Sequence, residues 1–323
     1  KKLSFFSISK ELCNERLDKI ILKYFPDLSF VKIQKLIRTG IFKVNKVKKK
    51  AHYKVKYDDK IQFSNFFTSE FRLNNNNTTN KYIKETNFLK KNIIYQDDSI
   101  LILNKPSGIP VQGGNKINFH LDCVLPYLSN DGKKLKLVHR IDKSTSGLLL
   151  LAKTKEAAQK ITKLFKLSRV NKKYWALVLG KPLKKEGKII KSISKKEVEG
   201  KEKMVVDEKN SKYAETQFKL LGSNNNYSLL EVIPITGRTH QIRVHLKYKG
   251  ASLIGDKQYG KKNLKFKKIN NDFFKKISKL SGQTLHAKTL EFSHPTNNKW
   301  LSFNSDLPYE FKNILNLLEN LSS

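Results

Sequence analysis

The 323-residue chain has only two cysteines, Cys13 and Cys123. They supply neither a disulfide framework nor a Cys-x-x-Cys metal site. Long apolar runs are missing too. GLLLLA at 147–152 and WALVLG at 175–180 fall far short of the ~18–20 residues that cross a bilayer. The N-terminal stretch lacks the apolar core and small-residue cleavage site of a secretory signal, and no repeat with a period of ~20–50 residues is visible. Acidic residues are scarce: 28 Asp+Glu stand against 65 Lys+Arg, a formal net charge of +37. Hydrophobic residues make up 38%, lean but enough for packed cores, which excludes wholesale disorder. The expectation is a soluble cytoplasmic protein of two or three domains, with a polyanionic partner and no membrane.

Arginine is the other scarcity. Only Arg16, Arg38, Arg72, Arg140, Arg169, Arg238 and Arg243 occur, leaving 58 lysines. A Lys/Asn/Ile bias of this kind also arises from AT-rich coding sequence, so a surface lysine is read first as a solubility group. Each arginine is correspondingly informative, because it marks a place where a planar, bidentate guanidinium is wanted.

Residues 1–67 read as one unit. ERLDKIILKYF (15–25) has Leu17, Ile20, Ile21 and Tyr24 at helical spacing. Ser29 is a candidate N-cap for a second helix, FVKIQKLIRT (30–39), which Gly40 ends. IFKVN (41–45) and YDDKIQF (57–63) read as short strands. Residues 68–91 include NNNNTTN (74–80) and read as a flexible linker. From residue 92 strands dominate. Segments 91–108, 172–180, 212–221 and 227–235 are expected strands, 155–165 and 239–250 are expected helices, and 262–279 is a basic insertion. Strands and helices without regular alternation predict an α+β fold rather than a doubly wound sheet.

Two clusters carry chemistry. In LVHRIDKSTSGLLLLAKT (137–154) a polar group, His139, Arg140, Asp142, Ser144, Thr145 and Ser146, sits between apolar flanks. A polar loop pinned between buried segments holds a carboxylate rigidly, although an isolated Asp in a Ser/Thr/Gly loop also serves simply as a turn cap. A protein-kinase His-Arg-Asp loop is excluded, because Ile141 separates Arg140 from Asp142 and neither a Gly-rich strand loop nor Asp-Phe-Gly is present. The second cluster, PITGRTHQIRVHL (234–246), brings Arg238 and Arg243 near one another across a Thr236-Gly237 turn and one turn of helix. A guanidinium there either keeps a buried carboxylate ionised or grips phosphate. His240 and His245 are badly spaced for a shared metal, and no third ligand is apparent.

HRIDKSTSG (139–147) resembles the His-Arg-Leu-Asp-x-x-Thr-Ser-Gly signature of RluA-type pseudouridine synthases, with Ile141 at the Leu position. Further blocks match in order: YQDDSILILNKPSGIPVQGG (95–114), KKYWALVLG (172–180), PITGRTHQIRVHL, IGDKQYG (254–260) and LHAKTLEFSHP (285–295). Residues 1–67 resemble an S4-like RNA-binding module. Within that family, Gly113-Gly114 and the pattern of the whole chain are nearest the synthase C type that acts on the large ribosomal subunit. The resemblance implies a small S4-like α/β module followed, over 92–323, by a catalytic domain on a mixed, mainly antiparallel sheet.

It also implies an activity: isomerisation of uridine to pseudouridine in structured RNA, with 23S ribosomal RNA as partner, and neither metal nor cofactor. Asp142 is then the catalytic aspartate, and Tyr174 packs on the target base and is placed for proton removal. Arg243 pairs with the aspartate, and Arg140 fills the place of the flipped nucleotide. Arg238, His139 and Thr145 join the RNA contacts, and Tyr174, Ile141 and Leu148 line a water-excluding pocket. In the N-terminal module Arg38, Lys35, Lys32 and Lys43 form the RNA-binding face. Read alone, Tyr174 is a core aromatic of a strand. The competing expectation is a non-catalytic RNA-binding or ribosome-assembly factor that retains the fold. The chain is expected to be a monomer.

Overall fold

The structure, a computed structural model, describes residues 3–25, 28, 30–64, 82–113, 119–129, 135–180, 184–223, 227–260, 277 and 280–320. The chain divides into two compact units, 1–83 and 84–323.

In the first unit, strands β1 (Leu3–Ser7), β2 (Lys43–Val44) and β3 (Lys60–Ser64) form an antiparallel sheet in the order β1-β3-β2. Helices α1 (Leu17–Tyr24) and α2 (Phe30–Thr39) fall where the apolar spacing predicts them. Leu17, Ile20 and Ile21 of α1 share a core with Ile33 and Ile37 of α2 and with Phe42, Val44 and Ile61. Each such side chain contributes about 1.5–3 kcal/mol by leaving water. Gly40, at φ 79°, closes α2: its N–H meets Ile37 O and the next N–H meets Leu36 O, each at 3.0 Å. Asp18, fully buried, joins the helices by accepting from Arg16 Nη2 at 2.6 Å and Gln34 Nε2 at 2.7 Å. Burial alone would raise its pKa, but the hydrogen bonds from Arg16 and Gln34 outweigh that and lower it. The sequence reading missed β1, and its Ser29 cap lies outside the described residues.

Most of the expected linker also lies outside them. Its last part does not read as linker in the structure, because α3 (Ile83–Lys90) is a helix with Thr86 and Leu89 buried on one face. The basic segment 262–279 is likewise outside the described residues, except for Ile277.

The second unit is built on one large sheet in the order β4-β5-β7-β14-β8-β13-β12-β9, with β6 on β7 and β15 on β14. The strands are β4 (Ile93–Gln96), β5 (Ile100–Lys105), β6 (Lys136–Leu137), β7 (Ser146–Ala152), β8 (Asn171–Leu179), β9 (Glu186–Ile190), β12 (Glu215–Ser223), β13 (Tyr227–Pro234), β14 (Leu285–Ser293) and β15 (Trp300–Asn304). A separate hairpin joins β10 (Ile193–Val198) to β11 (Lys201–Val206). Helices α4 (Leu121–Leu128), α5 (Lys155–Lys166), α6 (Gln241–Tyr248) and α7 (Tyr309–Asn320) complete it. Among the described strands only β7 and β14 pair in parallel, so the sheet is mixed and mainly antiparallel, as expected.

That one parallel pairing positions the chemistry. At Gly147, φ is 104° and a Cβ would stand 2.6 Å from Ala287 N, so no side chain fits. The close approach lets β7 start directly beside β14, and the polar loop 138–145 emerges at a fixed point of the sheet. Beyond Gly147, β7 is buried along its whole length, as a central strand covered on both faces must be.

Candidate active site

The loop that carries Asp142 is held from beneath. Lys105, at the end of β5, is fully buried. Its Nζ donates to Pro106 O at 2.8 Å, Ile109 O at 2.9 Å and Lys143 O at 3.2 Å. Burial pushes its amine down to about 7, against the charge of Asp142. Ser107 Oγ donates to Ser144 O at 3.0 Å, and the Gly108 N–H donates to Lys143 O at 2.9 Å. Thr145 Oγ1 accepts from Gln283 Nε2 at 3.0 Å. The carbonyls of Lys143 and Ser144 therefore have donors, and Asp142 stands on a rigid support.

Arg243 reaches Asp142 from α6. Its Nη1 lies 3.0 Å from Asp142 Oδ2. On the other side its Nε and Nη2 bind Asp256 two-pronged, at 2.8 and 2.9 Å. Asp256 Oδ1 also accepts the backbone N–H groups of Gln258 and Tyr259, both at 3.0 Å, and the guanidinium lies over the Tyr259 ring at 4.7 Å. Burial opposes the charge on both partners. The Arg243–Asp256 hydrogen bonds overcome it, raising the arginine pKa and lowering that of the aspartate. A fork locked on one carboxylate thus presents its remaining N–H to a second one, which a lysine cannot do.

Asp142, Arg243, Tyr174 and Arg140 line one cavity of about 670 Å³, within the ~300–1,000 Å³ range of ligand pockets. Tyr174, on β8, packs against the hydrophobic clusters on both sides of it. Burial, with the charge of Asp142 adding to it, pushes its phenol well above the ordinary value. The phenol is therefore neutral at ordinary pH, with its ring on the cavity wall. Arg140 is exposed at the cavity, 3.4 Å from Thr239 Oγ1.

Other expectations change. Arg238 lines the same cavity, but its Nε donates to Tyr213 O at 3.0 Å, so it does not share a carboxylate with Arg243. His139 is no cation for phosphate. Its Nε2 accepts the Leu150 N–H at 2.9 Å, the ring stacks on Phe165 at 4.5 Å, and burial pushes its pKa down to about 3. Thr145 is 2% exposed and lines the cavity, and its Oγ1 accepts from Gln283, so it also supports the loop. Leu148 belongs to the core behind the cavity, whereas Ile141 does line it. His245 is buried between Thr216 Oγ1 and Lys191 O, and among the described residues no group of three or more metal-ligating side chains occurs. Arg38, Lys32, Lys35 and Lys43 are exposed on α2 and β2 of the other unit.

Residues 99–248 match the family model described as RNA pseudouridylate synthase, and 15–61 match the S4 domain model. The ribosomal large subunit pseudouridine synthase C of Buchnera aphidicola (subsp. Acyrthosiphon pisum) is 36% identical over 316 residues, 98% of each chain. The chain belongs to the pseudouridine synthase family. It is an isomerase of uridine in RNA, with an S4 domain at its N-terminus. The synthase C of Haemophilus influenzae is 33% identical, covering 98% of this chain and 95% of its own. The human protein RNA pseudouridylate synthase domain containing 4 has a structure that covers 72% of this chain and 95% of its own, at 31% identity and a TM-score of 0.60.

Sequence reasoning on this synthase missed four side chains that build the site. Asp256 sits in the quoted IGDKQYG block and Lys105 in the NKPSG stretch, but neither has a role there. His240 reads in sequence only as a poor metal ligand. Gln241 carries no signal of its own, yet it organises the turn before α6. Its Oε1 accepts from Thr236 Oγ1 at 2.6 Å and the Arg238 N–H at 3.0 Å, while its Nε2 donates to Glu215 O at 2.8 Å and Thr216 Oγ1 at 2.9 Å.

Proposed function

We propose that this synthase isomerises a uridine of 23S ribosomal RNA with Asp142 as its catalytic carboxylate. The observation that carries the reading is the 3.0 Å ion pair of Asp142 with Arg243 in a cavity walled by Tyr174. The uracil detaches from ribose, turns within the site and rejoins through carbon 5. Asp142 either adds to the anomeric carbon or assists departure by a glycal route. Tyr174 packs on the base, and removal of the carbon-5 proton is shared among Tyr174, Asp142 and solvent. The reaction has no redox change and needs no external group, so no cofactor enters. Relatives named for the ribosomal large subunit support the choice of RNA.

The target nucleotide must leave its stack, at a cost of a few kcal/mol, and Arg140 at the cavity mouth fills the vacated place. Residues 1–67 act as the S4-like RNA-binding domain and 92–323 as the catalytic domain. Arg38, Lys32, Lys35 and Lys43 contact phosphate, a binding that weakens steeply with salt. The enzyme works in the cytoplasm as a monomer. A 23S transcript tritiated at uridine carbon 5 tests the reading. The enzyme alone releases tritium, and Asp142→Asn abolishes release while RNA binding persists. Undiminished release by that variant would remove Asp142 from the chemistry.

A further inference from the structure

His240 lines the cavity, and the scheme above leaves it idle. It stands at the N-terminus of α6 in the left-handed region, φ 55° and ψ 19°, where a non-glycine residue is uncommon and costs ~1–3 kcal/mol. The Gln241 hydrogen bonds fix the turn that imposes this conformation. The result aims the imidazole into the cavity, with Nε2 3.8 Å from Asp142 Oδ2 and Nδ1 2.9 Å from Tyr259 Oη.

The ring proton can be assigned from the chain of bonds. Tyr259 Oη accepts the Met204 N–H at 3.1 Å, and we assign its own hydrogen to His240 Nδ1, the acceptor 2.9 Å away. The imidazole then carries its proton on Nε2, facing Asp142. This arrangement gives the Met204 N–H and the Tyr259 O–H an acceptor each and leaves the Nε2–H open to the cavity. The charged and titratable groups around the ring are Asp142, Arg243, Asp256 and Arg140, with Tyr259 behind it. Burial is the largest influence and favours the neutral form. At 3.8 Å the Nε2–H is too far from Asp142 for a full hydrogen bond, so it is available to another acceptor in the cavity.

We propose that His240 is a further catalytic residue, a neutral Nε2–H donor to a carbonyl oxygen of the detached uracil. The inference rests on the isomerase reading above. When the N1–C1′ bond breaks, its electron pair leaves with uracil and spreads over N1 and the carbonyl oxygens. The Nε2–H stabilises that charge by hydrogen bonding, with no proton transferred. The C5–C1′ bond then forms, any bond from C1′ to Asp142 breaking with its electron pair returning to the carboxylate. The carbon-5 proton leaves to Tyr174, Asp142 or solvent, and N1 takes up a proton from solvent. A neutral donor suits the site because Arg243 already supplies the cation beside Asp142, and a second one would compete for the same carboxylate.

The test is single-turnover tritium release, with RNA affinity and thermal stability measured alongside. His240→Ala should slow release by roughly 10²-fold without changing RNA affinity. His240→Gln, which offers an N–H but takes up no proton at neutral pH, should restore most of the rate. The ratio of wild-type to His240→Ala rates should stay flat from about pH 7 to 9, since the imidazole is neutral throughout. An Ala variant as fast as wild type overturns the proposal. So does a Gln variant as slow as Ala, or a ratio that grows with pH, the mark of a base. Wild-type enzyme releasing no tritium would instead overturn the isomerase reading itself.

Discussion

Asp256 does not line the cavity, yet the geometry makes it the support on which the site depends. Asp256→Asn keeps the size of the side chain and leaves one acceptor oxygen in place of two. The native carboxylate accepts four N–H groups at 2.8 to 3.0 Å, two of them from Arg243. If the amide oxygen stays with the three donors at Oδ1, the amide nitrogen faces Arg243 Nε and cannot accept from it. Arg243 is 7% exposed, so water does not replace the lost partner. Breaking a buried pair from one side costs about 3–5 kcal/mol. The remaining contact with Asp142 places this case at the lower end, about 3 kcal/mol. At ~2–4 °C per kcal/mol for a unit of this size, the melting midpoint of the C-terminal unit should fall by about 6–12 °C.

Activity should drop more than that loss of stability explains. An unpinned guanidinium is free to turn both prongs onto Asp142, and displacements of about 1 Å can cost ~10²-fold in rate. RNA affinity should hold, because Asp256 is buried. Calorimetry and single-turnover tritium release, both well below the midpoint, read the two effects separately. A variant with the wild-type midpoint and rate would refute the claim that Asp256 fixes Arg243.

Two further outcomes follow from buried groups. Lys105→Met removes the donor to three carbonyls and should lower stability by about 1–3 kcal/mol, with a fall in rate and unchanged RNA affinity; equilibrium denaturation and tritium release check this, and a variant that keeps both properties refutes the support role. Acid should destabilise the second unit through His286, whose pKa burial pushes down to about 4 from the ordinary 6.5. The unfolded chain takes up that proton first, so stability is full above pH ~6.5 and falls as pH drops toward ~4, by about 3 kcal/mol for this group. Urea midpoints across that range should show a shallower acid slope in His286→Gln, and an identical slope would discount the residue.

What the sequence made legible follows from whether a signal is local. Leu17, Ile20 and Ile21, or Ile33 and Ile37, declare α1 and α2 because the helical period lies within a few residues. The charged hairpin β10–β11 shows no such period. Its strands carry cross-strand ion pairs such as Lys195–Glu202 at 2.6 Å in place of apolar alternation. In α6 the residues Gln241 to Leu246 are all buried, so no stripe distinguishes the face that holds Arg243 from the rest. The two arginines of that block look equivalent in sequence, and only the fold sends Arg238 to the carbonyl of Tyr213 and Arg243 to Asp142.

The same reasoning explains Lys105 and Asp256. Each is defined by a partner distant in sequence or by a main-chain group, and neither kind of partner leaves a trace in spacing. The arginine scarcity is nevertheless a sound guide at one point. Arg243 uses Nε, Nη1 and Nη2 at once on two carboxylates, a geometry that an ammonium group cannot reproduce. In a chain with 58 lysines among its 65 basic residues, arginine at that position reports a requirement for the planar fork. The lysine excess alone points no further than a polyanion.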